Sequence, residues 1–176
     1  LTEGVDSIYN PPRIDISEGG RLFDVQATDG DVVLEHPSAD FIIGDISSVN
    51  GDVWLTSGGD IINETVNYPA GDTLLSGKRV NLRAESGSIG SVDTAGNFEH
   101  IRVDSQASAE GGINAIAADD IVISETNGDL QLVSAVATAG NVYINVQDGN
   151  LVDNNPLGTA DTRTIEQLLG IWDEME

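Results

Sequence analysis

The feature of this sequence that most restricts its fold is the regular return of short apolar-alternating runs between turns of Gly, Asp and Asn. Examples are Val32-Val33-Leu34, Val53-Trp54-Leu55 and Val142-Tyr143-Ile144. Such runs begin about every 8–12 residues, which is the spacing of an all-β protein with brief turns. Strong helix formers such as Lys and Met are scarce before residue 160. The sequence therefore predicts strands through most of the chain.

Internal repetition indicates which kind of β protein to expect. The phrases GDVVL (30–34) and GDVWL (51–55) begin 21 residues apart, close to one turn of a parallel β-helix, whose coils stack about 4.8 Å apart. A shift of 89 residues also lays Val32 on Ile121 and Val53 on Val142, which predicts two copies of a unit of about four coils. We therefore expect an all-β, right-handed parallel β-helix of about eight coils, with a β-sandwich as the alternative.

The predicted organisation has three parts. Residues 1–12 read as a linker or extended segment, residues 13–159 as the β-helix, and residues 160–176 as an amphipathic helix inserted between coils. Four apolar residues of the last part have the spacing i, i+3, i+4 and i+7 of one helical face: Ile165, Leu168, Leu169 and Trp172. We expect this face either to lie on a flank of the β-helix or to cover an open end.

The charge of the chain excludes two classes of partner. Asp and Glu number 30 against 7 Lys and Arg, so the formal net charge is −23. Nucleic-acid binding needs Lys and Arg to displace counterions from the phosphates, and docking on anionic lipid needs the same residues. The sequence has no cysteine and no apolar run of about 18 residues, so we expect neither disulfides nor a membrane span.

Three stretches carry a family resemblance: GDVWLTSGGDIIN (51–63), VNLRAESGSIGS (80–91) and DDIVISETNGDLQLVSAVATAGNVYINVQDGNLVD (119–153). They resemble the repeats of filamentous-haemagglutinin-like adhesins and related leukotoxin-type exoproteins, which are large secreted bacterial proteins. The resemblance implies export to the cell surface or medium, a rod-like β-helix and a structural stalk that projects binding regions from the cell. It supplies no catalytic residue. The alternatives are a subunit of an extracellular filament or surface layer, and a glycan-binding or glycan-cleaving β-helix.

An enzymatic role has weak support in the sequence. Glycan-cleaving β-helices use grouped carboxylates with a basic residue, and the candidates here would be Asp119, Asp120, Glu125 and Asp129 with Arg102. Aromatic residues make up only 5% of the chain, although a sugar cleft usually needs aromatic platforms. We expect these acids to be turn residues and the protein not to be an enzyme.

Calcium is the ligand that the oxygen-bearing side chains suit best. In the stretch QDGNLVDNNP, Asp148, Asn150, Asp153 and Asn154 offer carboxylate and amide oxygens beside a tight turn, and hard oxygen donors suit Ca²⁺. The competing explanation is that Asp and Asn favour turns because they cap local backbone groups. We expect no other cofactor.

Trp54 and Tyr143 are the candidate contact residues. They match under the 89-residue shift, and each is flanked by aliphatic residues that should point inward, so both rings should point outward. Outward rings suit contact with a host or cell-surface glycan or protein, or they pack beneath an inserted loop or the C-terminal helix. Other expected partners are neighbouring repeats and copies of the chain itself. His36 and His100 read as surface turn residues.

Overall fold

The computed structural model of the chain describes residues 13–15, 21–63, 75–105 and 111–154. The described part is all-β and contains no helix, which confirms the predicted strand content. Its strands are β1 (Arg13–Asp15), β2 (Arg21–Ala27), β3 (Val32–His36), β4 (Phe41–Ser48), β5 (Val53–Ser57), β6 (Ile61–Asn63), β7 (Leu75–Ser76), β8 (Arg79–Ala84), β9 (Ser91–Val92), β10 (Phe98–Glu99), β11 (Ile101–Asp104), β12 (Gly112–Ala117), β13 (Ile121–Glu125), β14 (Leu130–Ala137), β15 (Val142–Val146) and β16 (Leu151–Asp153). The predicted segments 1–12 and 160–176 lie outside the described residues.

The strands form two parallel sheets, which the chain visits in alternation. Sheet A has the order β1-β3-β5-β8-β12-β14-β16, and sheet B has the order β15-β13-β11-β7-β4-β2 with β6 also beside β4. Every pairing within these sheets is parallel; β9 and β10 form a separate antiparallel hairpin. Each passage through one sheet thus connects two neighbouring strands of the other. This arrangement is consistent with the predicted β-helix.

The register advances by about one coil of 21 residues where the chain carries no insertion. Val32 pairs with Val53 and Ile121 with Val142, so GDVVL (30–34) stacks on GDVWL (51–55) as predicted. The step grows to 27 residues between Val53 and Val80 and to 33 between Val80 and Ile113. Residues 64–74 and the β9–β10 hairpin occupy the first and second of these longer steps.

The core lies between the two sheets. Alternate residues of β3 and β5 are buried, and β8 buries Val80, Leu82 and Ala84 together with Asn81. In register, the inward residues form columns that run from strand to strand. One column consists of Leu34, Leu55, Leu82, Ala115 and Ala135. Because the residues of a column only need to stack, apolar character is repeated while identity is not.

The 89-residue unit is not the structural repeat. Val53 lies in sheet A, whereas Val142, which the shift lays on it, lies in sheet B. Glycine-containing turns precede strands of both sheets, for example Gly51 before β5 and Gly140 before β15, so a shift of 89 residues moves a strand into a similar local sequence in the other sheet. The matched strands 89 residues apart therefore lie in different sheets, and strands within one sheet recur about every 21 residues where the chain carries no insertion.

His36 is not a surface turn residue. It ends β3 at an inward position after Val32 and Leu34, and it is only 2% exposed. Its ring lies 6.3 Å from that of Phe41, and its Nδ1 is buried without a hydrogen-bond partner. β3 extends as far as His36, although the following Pro37 had suggested that His36 belongs to a turn.

Candidate functional site

The most regular polar feature of the described part is a series of turn aspartates that join consecutive coils. Each lies just before a strand or bridge, and its carboxylate accepts a hydrogen bond from the backbone N–H of the residue at the same position one coil later. The N···Oδ1 pairs are Asp52 to Asp31 (2.8 Å), Asp60 to Asp40 (3.0 Å), Ser88 to Asp60 (2.7 Å), Asn141 to Asp120 (2.8 Å) and Asn150 to Asp129 (2.7 Å). We call these contacts the aspartate ladders.

Glycine precedes several ladder positions because the turns lie almost directly on one another. A Cβ at Gly51 would overlap the carbonyl oxygen of Gly30 in the preceding coil, and a Cβ at Gly149 would overlap that of Gly128. No side chain fits such a gap. Each residue of the recurring Gly-Asp and Gly-Asn phrases therefore has its own role. The glycine permits close stacking of the turns, and the Asp or Asn that follows takes part in the ladder hydrogen bond, as the carboxylate that accepts it or the residue whose backbone N–H donates it.

The ladders also place like charges near each other. Burial raises the pKa of Asp52; the charge of Arg79 opposes this rise, and the charge of Asp31 adds to it. Arg79 Nε lies 3.0 Å from Asp52 Oδ2, and its backbone N–H donates to Oδ1 at 3.2 Å. The few basic residues thus compensate only part of the repulsion in a chain of net charge −23.

The candidate catalytic acids are not gathered into one cleft. Asp120 precedes β13 and Glu125 ends it, which separates them by about 16 Å of strand. The carboxylates of Asp120 and Asp129 are ladder acceptors, and Asp119 is an exposed turn residue. Arg102 is buried in β11, and in the strand register it lies beside Ser124 of β13. That the protein is not an enzyme stays a prediction.

Glu125 is a buried carboxylate with four hydrogen-bond donors. Its Oε2 accepts from Ser105 Oγ (2.6 Å) and N (3.1 Å), and its Oε1 accepts from the backbone of Thr126 (3.2 Å) and Asn127 (3.3 Å). Burial raises the pKa of Glu125, and the bonds from Ser105 oppose that rise. The sequence signal for its burial was the alternation of Ile121, Ile123 and Glu125, whose third inward position is acidic.

The four candidate calcium ligands lie in the turn between β15 and β16 and at the end of β16. Asp148 is exposed in the turn after β15, and Asp153 pairs with Leu132 at the end of β16. Asn150 donates its Nδ2 to Asp129 at 3.0 Å. Asn154 donates its Nδ2 to Gln131 Oε1 at 3.1 Å and to the Gly111 carbonyl. Among the described residues, no three His, Asp or Glu side chains are grouped closely enough to hold a metal ion. Calcium binding stays a prediction.

Trp54 and Tyr143 belong to different surfaces. Trp54 lies in β5 of sheet A, between Val33 and Asn81, and Tyr143 lies in β15 of sheet B. Tyr143 packs against Phe98 of the β9–β10 hairpin, with ring centroids 4.7 Å apart. An inserted loop therefore covers part of Tyr143, which is one of the two predicted arrangements.

The ring contacts around Tyr143 involve Phe98, which the sequence analysis did not single out, and His100, which it read as a surface turn residue. Phe98 is 46% exposed and also lies 5.8 Å, centroid to centroid, from His100. His100 is partly buried, and this burial lowers its pKa. Residues 91–99 interrupt the strand pattern, and that interruption was the available signal that a surface element is inserted here.

Comparison of this chain with models of protein families, with curated proteins and with solved structures finds no match. Within the described residues, no helix has the length and apolar character needed to cross a membrane.

Proposed function

We propose that this chain is a segment of a right-handed parallel β-helix of about eight coils that serves as a stiff stalk in a secreted or cell-surface adhesin-like protein. The observation that carries the proposal is the alternation of the chain between two parallel sheets without an antiparallel strand in either. In this view, residues 160–176 form the C-terminal helix. The adhesin assignment rests on the resemblance of 51–63, 80–91 and 119–153 to adhesin repeats.

The hydrogen bonding suits a mechanical role because it runs along the direction in which coils are added. Both sheets connect each coil to the next, and the aspartate ladders add bonds between several consecutive turns. The seven strands of sheet A, at about 4.8 Å per strand, extend about 30 Å. Pulling the coils apart would break several of these bonds together, whereas a disordered linker offers no comparable resistance.

The acidity suits an exposed position between other regions of a large protein. A surface with a net charge of −23 repels copies of itself and stays in solution. Repulsion between stacked turns also lowers stability, and salt or divalent cations would relieve it. Calcium at Asp148, Asn150, Asp153 and Asn154 is part of this proposal.

Single-molecule force spectroscopy tests the stalk. The chain is held between two folded handle domains of known strength and stretched from its ends. We expect cooperative rupture at a force well above that needed to extend a Gly/Ser linker of equal length. Extension at the low force of the linker would contradict the stalk, and so would a compact sandwich of two antiparallel sheets in an experimental structure.

A second candidate function is glycan binding at the cluster of Phe98, His100 and Tyr143, favoured by the exposed Phe98 ring beside a second aromatic ring. A glycan array probed with the wild-type chain and with Phe98→Ala tests it, with Val49→Ala as the matched change of another exposed apolar residue. Signal that Phe98→Ala removes and Val49→Ala keeps would support binding. No signal for the wild type would contradict it.

A further inference from the structure

The last described coil, β15 and β16, leaves apolar side chains uncovered. Val142 continues the column of Ile121, and Leu151 continues the column of Leu130. Ile121 and Leu130 are completely buried, whereas Val142 is 41% and Leu151 55% exposed. The neighbouring Val152 is 37% exposed. We call Val142, Leu151, Val152 and the outer edges of β15 and β16 the end face.

The end face also presents unpaired backbone. In the described part, β15 pairs only with β13 and β16 only with β14, so one edge of each strand has no neighbour. Strand edges of this kind favour pairing with other chains unless something covers them. Of the other large apolar side chains exposed in the described part, Val49 lies far from this surface in sequence and strand position, whereas Phe98 contacts Tyr143 of β15.

The end face lacks the aspartates that occupy the ladder positions of the preceding coil. Residues 141–154 contain two acids, Asp148 and Asp153, and no Lys or Arg. At the two ladder positions, Asn141 and Asn150 stand where the preceding coil has aspartates, and their amides donate to those aspartates. An acidic segment would meet less repulsion here than along the ladders.

We infer that residues 160–176 cover the end face, with Ile165, Leu168, Leu169 and Trp172 packed on Val142 and Leu151. The apolar spacing of this segment matches one face of a helix, and the segment carries five acids and one Arg. Residues 155–159 can span about 16–18 Å when extended, which exceeds the spacing of about 10 Å between stacked sheets. The segment thus reaches the end face directly after β16. This inference concerns the end of the fold and does not depend on the stalk function.

Tryptophan fluorescence tests this contact. The chain has two tryptophans, so Trp54→Phe leaves Trp172 as the only reporter. In that background we expect blue-shifted emission and acrylamide quenching several-fold weaker than in denaturant. Leu151→Ser should raise the quenching toward the denatured value. Val49→Ser, which changes a 65% exposed valine away from the end face, should leave it unchanged.

A second pair of variants changes the segment itself and leaves every residue of the two sheets as it is. Leu168→Ser should expose Trp172, and Glu166→Gln should not, because position 166 lies off the apolar face. Three results would overturn the inference: full quenching of Trp172 in the parent, shielding that is insensitive to Leu151→Ser, or shielding that disappears on dilution. The last result would assign the contact to a second copy of the chain.

Discussion

Removing one hydrogen bond of the aspartate ladders should lower the free energy of unfolding by an amount that can be worked out from the structure. Asp60 Oδ1 accepts the backbone N–H of Ser88 at 2.7 Å, and this N–H belongs to a partly buried residue. Asp60→Ala removes the acceptor and leaves the N–H without its partner. A hydrogen bond to a charged group contributes about 1.5–3 kcal/mol, so we expect the free energy of unfolding to fall by about 2 kcal/mol. For a chain of this size that corresponds to about 4–8 °C in Tm.

Asp60→Asn is the matched control. It removes the same negative charge, and thus the same repulsion in a chain of net charge −23, but keeps an oxygen that can accept from Ser88. We expect its free energy of unfolding to lie within about 1 kcal/mol of wild type. Urea denaturation followed by circular dichroism measures both variants under identical salt. Equal stability of Asp60→Ala and Asp60→Asn would refute the claim that ladder hydrogen bonds join the coils.

Three further predictions concern the turns, the buried acid and calcium. Gly51→Ala should unfold the chain or lower its Tm by more than 10 °C, because the new Cβ would overlap the Gly30 carbonyl; a Tm within 2 °C of wild type would contradict the close stacking of turns. Since burial raises the pKa of Glu125, its folded state binds a proton more readily than its unfolded state. The stability that Glu125 contributes is therefore greatest below the pKa of Glu125 in the unfolded chain, and it is lost as the pH rises through the pKa in the folded chain. The urea midpoint should be higher at pH 5 than at pH 7.5, and the reverse order would contradict this. Millimolar Ca²⁺ at low ionic strength should raise the Tm, and if Asp148 is a ligand, Asp148→Asn should reduce the rise more than Asp119→Asn; equal reductions would indicate screening without a site.

The sequence predicted the local pattern well because each strand meets nearly the same surroundings in every coil. The 21-residue offset between GDVVL and GDVWL gave the register of Val32 with Val53 correctly. The same uniformity made the longer comparison fail. Val53 and Val142 have similar neighbours along the chain, yet they lie in different sheets.

The polar residues show a similar division. Asp and Asn could be assigned to turns from their local preferences alone. Nothing in a single turn shows that the carboxylate of Asp60 accepts from Ser88, because the two residues are 28 positions apart. The cluster of Phe98 with Tyr143 depends in the same way on how an inserted hairpin folds back onto sheet B.

By itself, the sequence determined that the chain forms short strands, where many of them begin, and that it carries a large negative charge. Those properties depend on alternation, turn residues and composition, which act over a few positions. Only the tertiary structure decided which strand belongs to which sheet, why Glu125 is buried and where apolar columns are left open. These properties depend on residues about 20–30 positions apart that pair between neighbouring strands of a sheet, and the contacts exist only once both sheets have formed.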